Sequence, residues 1–242
     1  MPKERDEPRA LDRDLAPIAS LIGDPTRVAI LAALTEQRLL PAGELARRAG
    51  VHPATATAHL RRLVEGGLVI VHVQGRHRYH QLAGPQVAAV IEALAQLAPA
   101  KPVRSLRTDR AAKALAEART CYDHLAGRRG VELRERLLAA GALRTVGARD
   151  HLLTPVGRQR LSELGIDPTS LDKTRRVLAR VCVDWTQRQP HLAGALPAAL
   201  TSRLIQLGWL APTAGRGLRV APDYTQRLDA WLAGSERSIN SR

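Results

Sequence analysis

The chain has 242 residues, 45% of them apolar, enough for two cores because domains usually run about 100 to 200 residues. No apolar run approaches the roughly 20 residues a bilayer crossing needs, and the opening MPKERDEPRALDRD lacks the apolar centre of a signal peptide, so a soluble, cytoplasmic protein with no membrane partner is expected. Two cysteines exclude a disulfide-stapled fold, and a net charge of +14 predicts an anionic partner, because Lys and Arg that neutralise phosphates release counterions.

A charged tail over 1–11 precedes two helical runs. Leu15, Ile18, Ala19 and Ile22 form the first, and Val28, Leu31, Ala32 and Leu34 the second. Asp24 and Pro25 separate them as N-cap and first helical residue. The segment 44-ELARRAG-50 predicts a short helix ended by Gly50, and 53-PATATAHLRRLVEGG-67 a helix that starts at a proline and stops at paired glycines. A short helix, a tight turn and a second helix of about three turns make a helix-turn-helix signature.

In the second helix Ala56, Leu60, Leu63 and Val64 take the core positions, which turns Thr55, Thr57, Ala58, Arg61 and Arg62 outward. Short side chains let a helix approach the major groove, hydroxyls reach bases or phosphates, and Arg neutralises backbone charge. A solvated surface face is the alternative reading. The following 68-LVIVHV-73, a turn at Gln74-Gly75 and 76-RHRYHQL-82 predict a hairpin with Arg76, Arg78 and His80 on one side. Residues 47–78 hold six Arg and one Glu, so positive charge gathers on the helix and hairpin.

The runs 24-DPTRVAILAAL-34, 44-ELARRAGVHPATATAHLRRLVEGGLV-69 and 75-GRHRYHQL-82 resemble the ArsR/SmtB family of dimeric bacterial transcriptional regulators, over about residues 12–97. The resemblance implies a winged helix-turn-helix that binds double-stranded DNA as a homodimer on an inverted repeat. It implies DNA contacts from His52, Thr55, Thr57, Ala58, Arg61, Arg62, Gln74, Arg76 and Arg78. It also makes 12–22 and 86-QVAAVIEALAQL-97 the dimer helices, the latter with apolar residues at 87, 90, 91 and 94. The chain departs from the metal-sensing members. Pro41 and Gly43 stand at the Cys-x-Cys positions, and 86–97 has no His and only Glu92 as an acid, so neither usual family metal site is present. His72, His77 and His80 on the hairpin offer imidazoles, but alternation along strands allows only some of them to converge. His59 reads as a packing residue.

Residues 98–118 are expected to be a linker and connecting helix, with helix running from Ser105 to about Leu125. Residues 119–234 then hold a duplication, before a tail at 235–242. Residues 124–161 align with 191–228 at a constant offset of 67 with 14 identities in 38 positions, among them His124/His191, Gly127/Gly194, Arg136/Arg203 and Pro155/Pro222. The expected fold class is mainly α with small β-hairpins: an N-terminal winged helix plus two tandem degenerate winged-helix-like units, each opening on helices.

Each copy carries a cysteine, in 119-RTCYDHLAGRRG-130 and 180-RVCVDWTQRQPHLAG-194, with Asp123 and Asp184 two residues after Cys121 and Cys182. Cys121, Tyr122, His124, Cys182, Trp185 and His191 form a candidate effector, thiol or metal site. Three readings stay open: plain packing of buried thiols, an organic-ligand pocket walled by Tyr122, Trp185 and Trp209, and thiol or metal sensing. The Cys-to-His separation is six residues longer in the second copy, which breaks strict equivalence.

No nucleotide-binding glycine loop, HExxH or Ser-His-Asp arrangement is present, so no enzyme is expected. The reading is an ArsR-type repressor with a C-terminal domain sensing a small-molecule, metal or redox effector. Its rival is an architectural protein that coats DNA with little sequence preference.

Overall fold

The computed structural model describes residues 13–36, 39–99, 106–213 and 215–234; both expected tails lie outside them. No single described helix is long and apolar enough to cross a membrane. By contacts the chain divides into two units, 13–34 with 39–84, and 35–36 with residues from 85 onward.

In the first unit α1 (Ala16–Ile22) and α2 (Pro25–Glu36) are separated where expected. Asp24 Oδ1 accepts from the Arg27 amide at 2.9 Å, the N-cap bond that starts α2. Arg27, 7% exposed, donates to the carbonyls of Leu21 and Ser20 and so satisfies acceptors that the end of α1 leaves open. His59 packs beside this anchor, 3.5 Å from Asp24 Oδ1. The strand β1 (Leu40–Pro41) was not read from the sequence; two residues carry no periodicity. Then come α3 (Ala42–Ala49), α4 (Pro53–Glu65), β2 (Val69–Gln74) and β3 (His77–Leu82). Gly50 ends α3 at φ 67°, a left-handed value that favours glycine. Ala56, Leu60 and Leu63 of α4 are buried and Val64 is half-buried. The sheet order is β1-β3-β2, all antiparallel.

The second unit opens with α5 (Pro85–Leu97), so the division falls before this helix, where the sequence reading placed it after residue 97. Val87, Ala88, Ile91 and Glu92 of α5 are buried, while Val90 and Leu94 are about 40% exposed. Helix α6 (Leu106–Glu117) stops short of Leu125. Residues expected to continue it form a hairpin instead, β4 (Arg119–Cys121) and β5 (His124–Ala126). The two-residue turn Tyr122-Asp123 holds Tyr122 at φ 59°, a value a helix cannot contain.

After it come α7 (Arg128–Ala139), β6 (Leu143–Val146), β7 (Asp150–Leu153), α8 (Pro155–Glu163) and the short α9 (Pro168–Asp172). The second copy follows as β8 (Ala179–Val183), β9 (Pro190–Ala193), α10 (Ala195–Gln206), β10 (Leu210–Pro212), β11 (Leu218–Val220) and α11 (Tyr224–Ala233). Each copy therefore runs strand, strand, helix, strand, strand, helix, and a hairpin stands where an opening helix was expected. The offset of 67 carries α7 onto α10 end to end.

The copies interlock. α7 packs on β9 and α10 on β5, β6-β7-β8-β9 form one antiparallel sheet, and a single apolar core draws Leu125, Leu133 and Leu137 from one copy and Leu192, Leu200, Leu204 and Trp209 from the other. The repeated His-Leu-Ala-Gly has a backbone cause. Gly127 and Gly194 precede the two helices at φ 77° and 125°, and a Cβ at either would lie 2.8 Å or less from a carbonyl oxygen. That approach lets the Val177 and Leu178 carbonyls accept from the first two amides of α10.

Candidate functional site

In the first unit, the outward face of α4 and the hairpin tip bring together the residues read as DNA contacts. Thr55, Thr57, Ala58, Arg61 and Arg62 are exposed on α4, and Gln74, Arg76 and Arg78 on the hairpin. His52 caps α4, its Nδ1 accepting from the Ala54 amide at 3.3 Å; in the neutral ring this leaves Nε2 as the donor, exposed at the helix N-terminus. Thr57 Oγ1 donates to the Pro53 carbonyl at 2.9 Å, so its lone pairs face out as acceptors. Arg61 keeps only a loose contact, 3.7 Å, with Glu65. His80 does not join Arg76 and Arg78 at the tip. It is 8% exposed at the hairpin base, opposite Leu40, and burial lowers its pKa. His72 bonds Gln81 at 2.6 Å, and the hairpin histidines form no ligand cluster among the described residues.

In the second unit, Cys121, His124, Cys182 and His191 meet. Their ligand atoms all lie within 4.8 Å of one another, the one such His/Cys/Asp/Glu group among the described residues. The hairpins explain how. Cys121 pairs with His124 across β4 and β5, and Cys182 with His191 across β8 and β9. The six extra residues of the second copy lie in the loop and leave the pairing unchanged, so the broken equivalence expected from spacing is restored by register. The imidazoles of His124 and His191 stack at 5.2 Å. Both are buried with Cys121, while Cys182 is half-buried. The Cys121 thiol beside it lowers the pKa of Cys182 against the effect of burial, with help from His124 and His191. Cys182 in turn, together with burial, raises the pKa of Cys121.

Around this cluster lies a cavity of about 680 Å³ that Cys121, Tyr122, His124 and Cys182 line together with one side of α5 and Arg149, Arg175, Arg176 and Arg180. No motif in the sequence marks these arginines: Arg149 stands apart from Arg175, Arg176 and Arg180, and only the fold brings them to one cavity. Trp185 and Trp209 do not wall it. Trp209 is fully buried in the core, and the Trp185 ring lies 4.9 Å from the Arg119 guanidinium and 5.8 Å from that of Arg216, a cation–π arrangement.

The two aspartates that follow the cysteines differ in role. Asp123 accepts from Arg176 at 2.6 and 3.2 Å and lies 3.4 Å from His124 Nδ1. Burial opposes its ionisation, yet His124 and Arg176 hold its pKa at about 2. Asp184 is fully buried and binds Arg119 Nη2 at 2.8 Å, the Gly127 amide at 2.6 Å, and the Thr186 and Gln187 amides. It thereby joins the second-copy loop to the start of α7. Arg119 is also 3.8 Å from Glu92 of α5, which pairs with Arg216 as well. In the sequence Glu92 stands out only as the lone acid of its helix.

Residues 22–72 match a family described as "Helix-turn-helix domain". The chain is 43% identical over 200 residues to the HTH-type transcriptional regulator YdfF of Bacillus subtilis (strain 168), covering 83% of this chain and 88% of that one. Among solved structures, it is similar to the homodimeric winged helix-turn-helix DNA-binding domain Mb0332 of Mycobacterium bovis, with 31% identity, 40% of this chain, 88% of that one and a TM-score of 0.34. It is also similar to the cadmium metal-sensor CMTR of Mycobacterium tuberculosis, with 30% identity, 39% and 100% coverage and a TM-score of 0.31. The extended identity to YdfF does reach across both units, and by it the chain belongs to the HTH-type transcriptional regulators.

Proposed function

We propose that the protein is an ArsR-type repressor that binds an inverted-repeat operator as a homodimer, with an effector acting on its C-terminal unit. The observation that carries the DNA-binding part is the exposed face of α4, short and hydroxylated at Thr55, Thr57 and Ala58, flanked by His52 at its start and by Arg76 and Arg78 on the hairpin. The helix enters the major groove with its N-terminal half against base edges, and the hairpin arginines grip phosphates. Leu15 on the approach to α1 and Ile18 within it, with Val90, Leu94 and Leu97 on α5, are large apolar side chains left exposed; burying them against a second copy supports the dimer. Two recognition helices related by a twofold axis then read half-sites about one DNA turn apart.

The C-terminal unit is taken as a duplicated, degenerate winged-helix-like unit turned to sensing. The repeated helix, hairpin and helix support this, as does the burial of Ala195, Leu196 and Pro197 at the N-terminal end of α10, the end with which a recognition helix meets bases. The test is competition binding at physiological salt between DNA from the protein's own promoter and random duplex. A repressor prefers its operator by roughly 10³-fold or more. Equal affinities would favour the rival reading, a protein that coats DNA without reading it.

A further inference from the structure

We infer that Cys121, His124, Cys182 and His191 together bind one thiophilic divalent cation of the zinc(II) class, two ligands from each copy of the repeat. As the effector of the regulator, the ion deepens the function proposed above and in that respect rests on it; the binding itself does not.

Geometry comes first. Zinc–sulfur bonds of about 2.3 Å and zinc–nitrogen bonds of about 2.0–2.1 Å place tetrahedral ligand atoms about 3.3–3.8 Å apart. All four here already lie within 4.8 Å, so a contraction of about 1.5 Å at most closes the tetrahedron.

Hydrogen bonding comes second. His124 Nε2 and both ring nitrogens of His191 are buried with no nitrogen or oxygen partner, only the neighbouring Cys182 thiol, although buried polar atoms nearly always find a full hydrogen bond. His151 too lacks a nitrogen or oxygen partner, but no ligand cluster surrounds it among the described residues. Packing alone accounts for buried thiols. It does not account for two imidazoles and two thiols converging with their ligand atoms within 4.8 Å of one another.

The supporting contacts have the form a metal site requires. Asp123 receives His124 Nδ1, which turns Nε2 toward the cluster, and Arg176 fixes Asp123 in turn. Charge also balances: two thiolates that lose their protons to solvent, two neutral imidazoles and a dication leave a neutral buried centre. Cys121, His124 and Cys182 face the cavity, which opens an approach path. Because Cys121 lies two residues from Arg119, the partner of Glu92, an ion that clamps β4–β5 to β8–β9 bears on α5 and on its exposed Val90 and Leu94.

The experiment is titration of the reduced, metal-free, full-length protein with cobalt(II), followed by displacement with zinc(II). One cobalt per chain should bind with a thiolate-to-cobalt charge-transfer band in the near ultraviolet and the strong visible absorption of a tetrahedral site. Cys182→Ser, at the half-buried position, should lose about half of the charge-transfer intensity and at least tenfold in zinc affinity while its tryptophan fluorescence stays native. His72→Gln, on the hairpin, should titrate like the unaltered protein. The inference is overturned if no charge-transfer band forms, if Cys182→Ser leaves the band unchanged, or if the thiols only oxidise to a disulfide and the reduced protein takes up no cation. Operator competition reads the regulator separately, so failure of either leaves the other standing.

Discussion

Exchange of Asp184 for Asn retains the side-chain shape and removes one charge. Oδ2 accepts from Arg119 Nη2 at 2.8 Å and from the Gly127 amide at 2.6 Å, while Oδ1 accepts from Thr186 Oγ1 and the Thr186 and Gln187 amides. An asparagine can satisfy only one of these sets, so its NH₂ must face donors. Breaking one side of a buried ion pair costs about 3–5 kcal/mol, and misdirected buried hydrogen bonds act in the same direction.

The pH dependence supplies a second number. Burial opposes ionisation of Asp184, but Arg119, Thr186 and the Gln187 and Gly127 amides win and lower its pKa from 3.8 to about 2. A depressed carboxyl pKa stabilises the fold fully above the unfolded value and loses that contribution as pH falls from about 4 to about 2, here about 2 kcal/mol. Urea unfolding followed by tryptophan fluorescence measures both, because Trp185, Trp209 and Trp231 all belong to the second unit. Asp184→Asn should lose about 3–5 kcal/mol at pH 7 and show a shallower acid limb. A loss under about 1 kcal/mol, the scale of an exposed pair, would refute the reasoning.

Three further outcomes are expected. Replacing Arg76 and Arg78 together with Ala should weaken binding to every duplex and reduce the slope of log K against log salt by about 2, and an unchanged slope would remove the hairpin from the interface; Thr57→Val should instead change the ranking of operator variants. Val90→Glu with Leu94→Glu should shift the protein toward monomer in sedimentation while its tryptophan fluorescence stays native. Gly127→Ala should cost about 2–3 kcal/mol, because φ 77° and a Cβ 2.8 Å from the Ala116 carbonyl add strain to a steric clash. Gly141→Ala, at φ 66° with nothing within 4 Å of the added Cβ, should cost only about 1 kcal/mol, and similar losses at both positions would show that close backbone approach is not the reason for Gly127.

The helices of the first unit were legible because their signals are local. Pro25, Pro53, Gly50 and the Gly66-Gly67 pair set helix limits through φ, and Ala56, Leu60 and Leu63 repeat at the period of a helix whatever surrounds them. The hairpin from Val69 to Leu82 was equally plain, whereas the burial of His80 was not, since it depends on Leu40 in a distant two-residue strand. The helix drawn through to Leu125 failed for a related reason: Ala, Leu and Arg favour helix up to Glu117, and the turn at Tyr122 rests on contacts that no window of sequence contains.

Sequence by itself determined that residues 119–234 contain a repeat and that each copy owns a cysteine and a histidine, because gapless identity at an offset of 67 needs no coordinates. Whether those four side chains meet was decided by tertiary structure alone. The separations of three and nine residues become equivalent only when antiparallel pairing sets Cys121 opposite His124 and Cys182 opposite His191. Asp184, Arg119 and Glu92 likewise come together only in the folded chain, since burying their charges becomes tolerable only once each finds its partner.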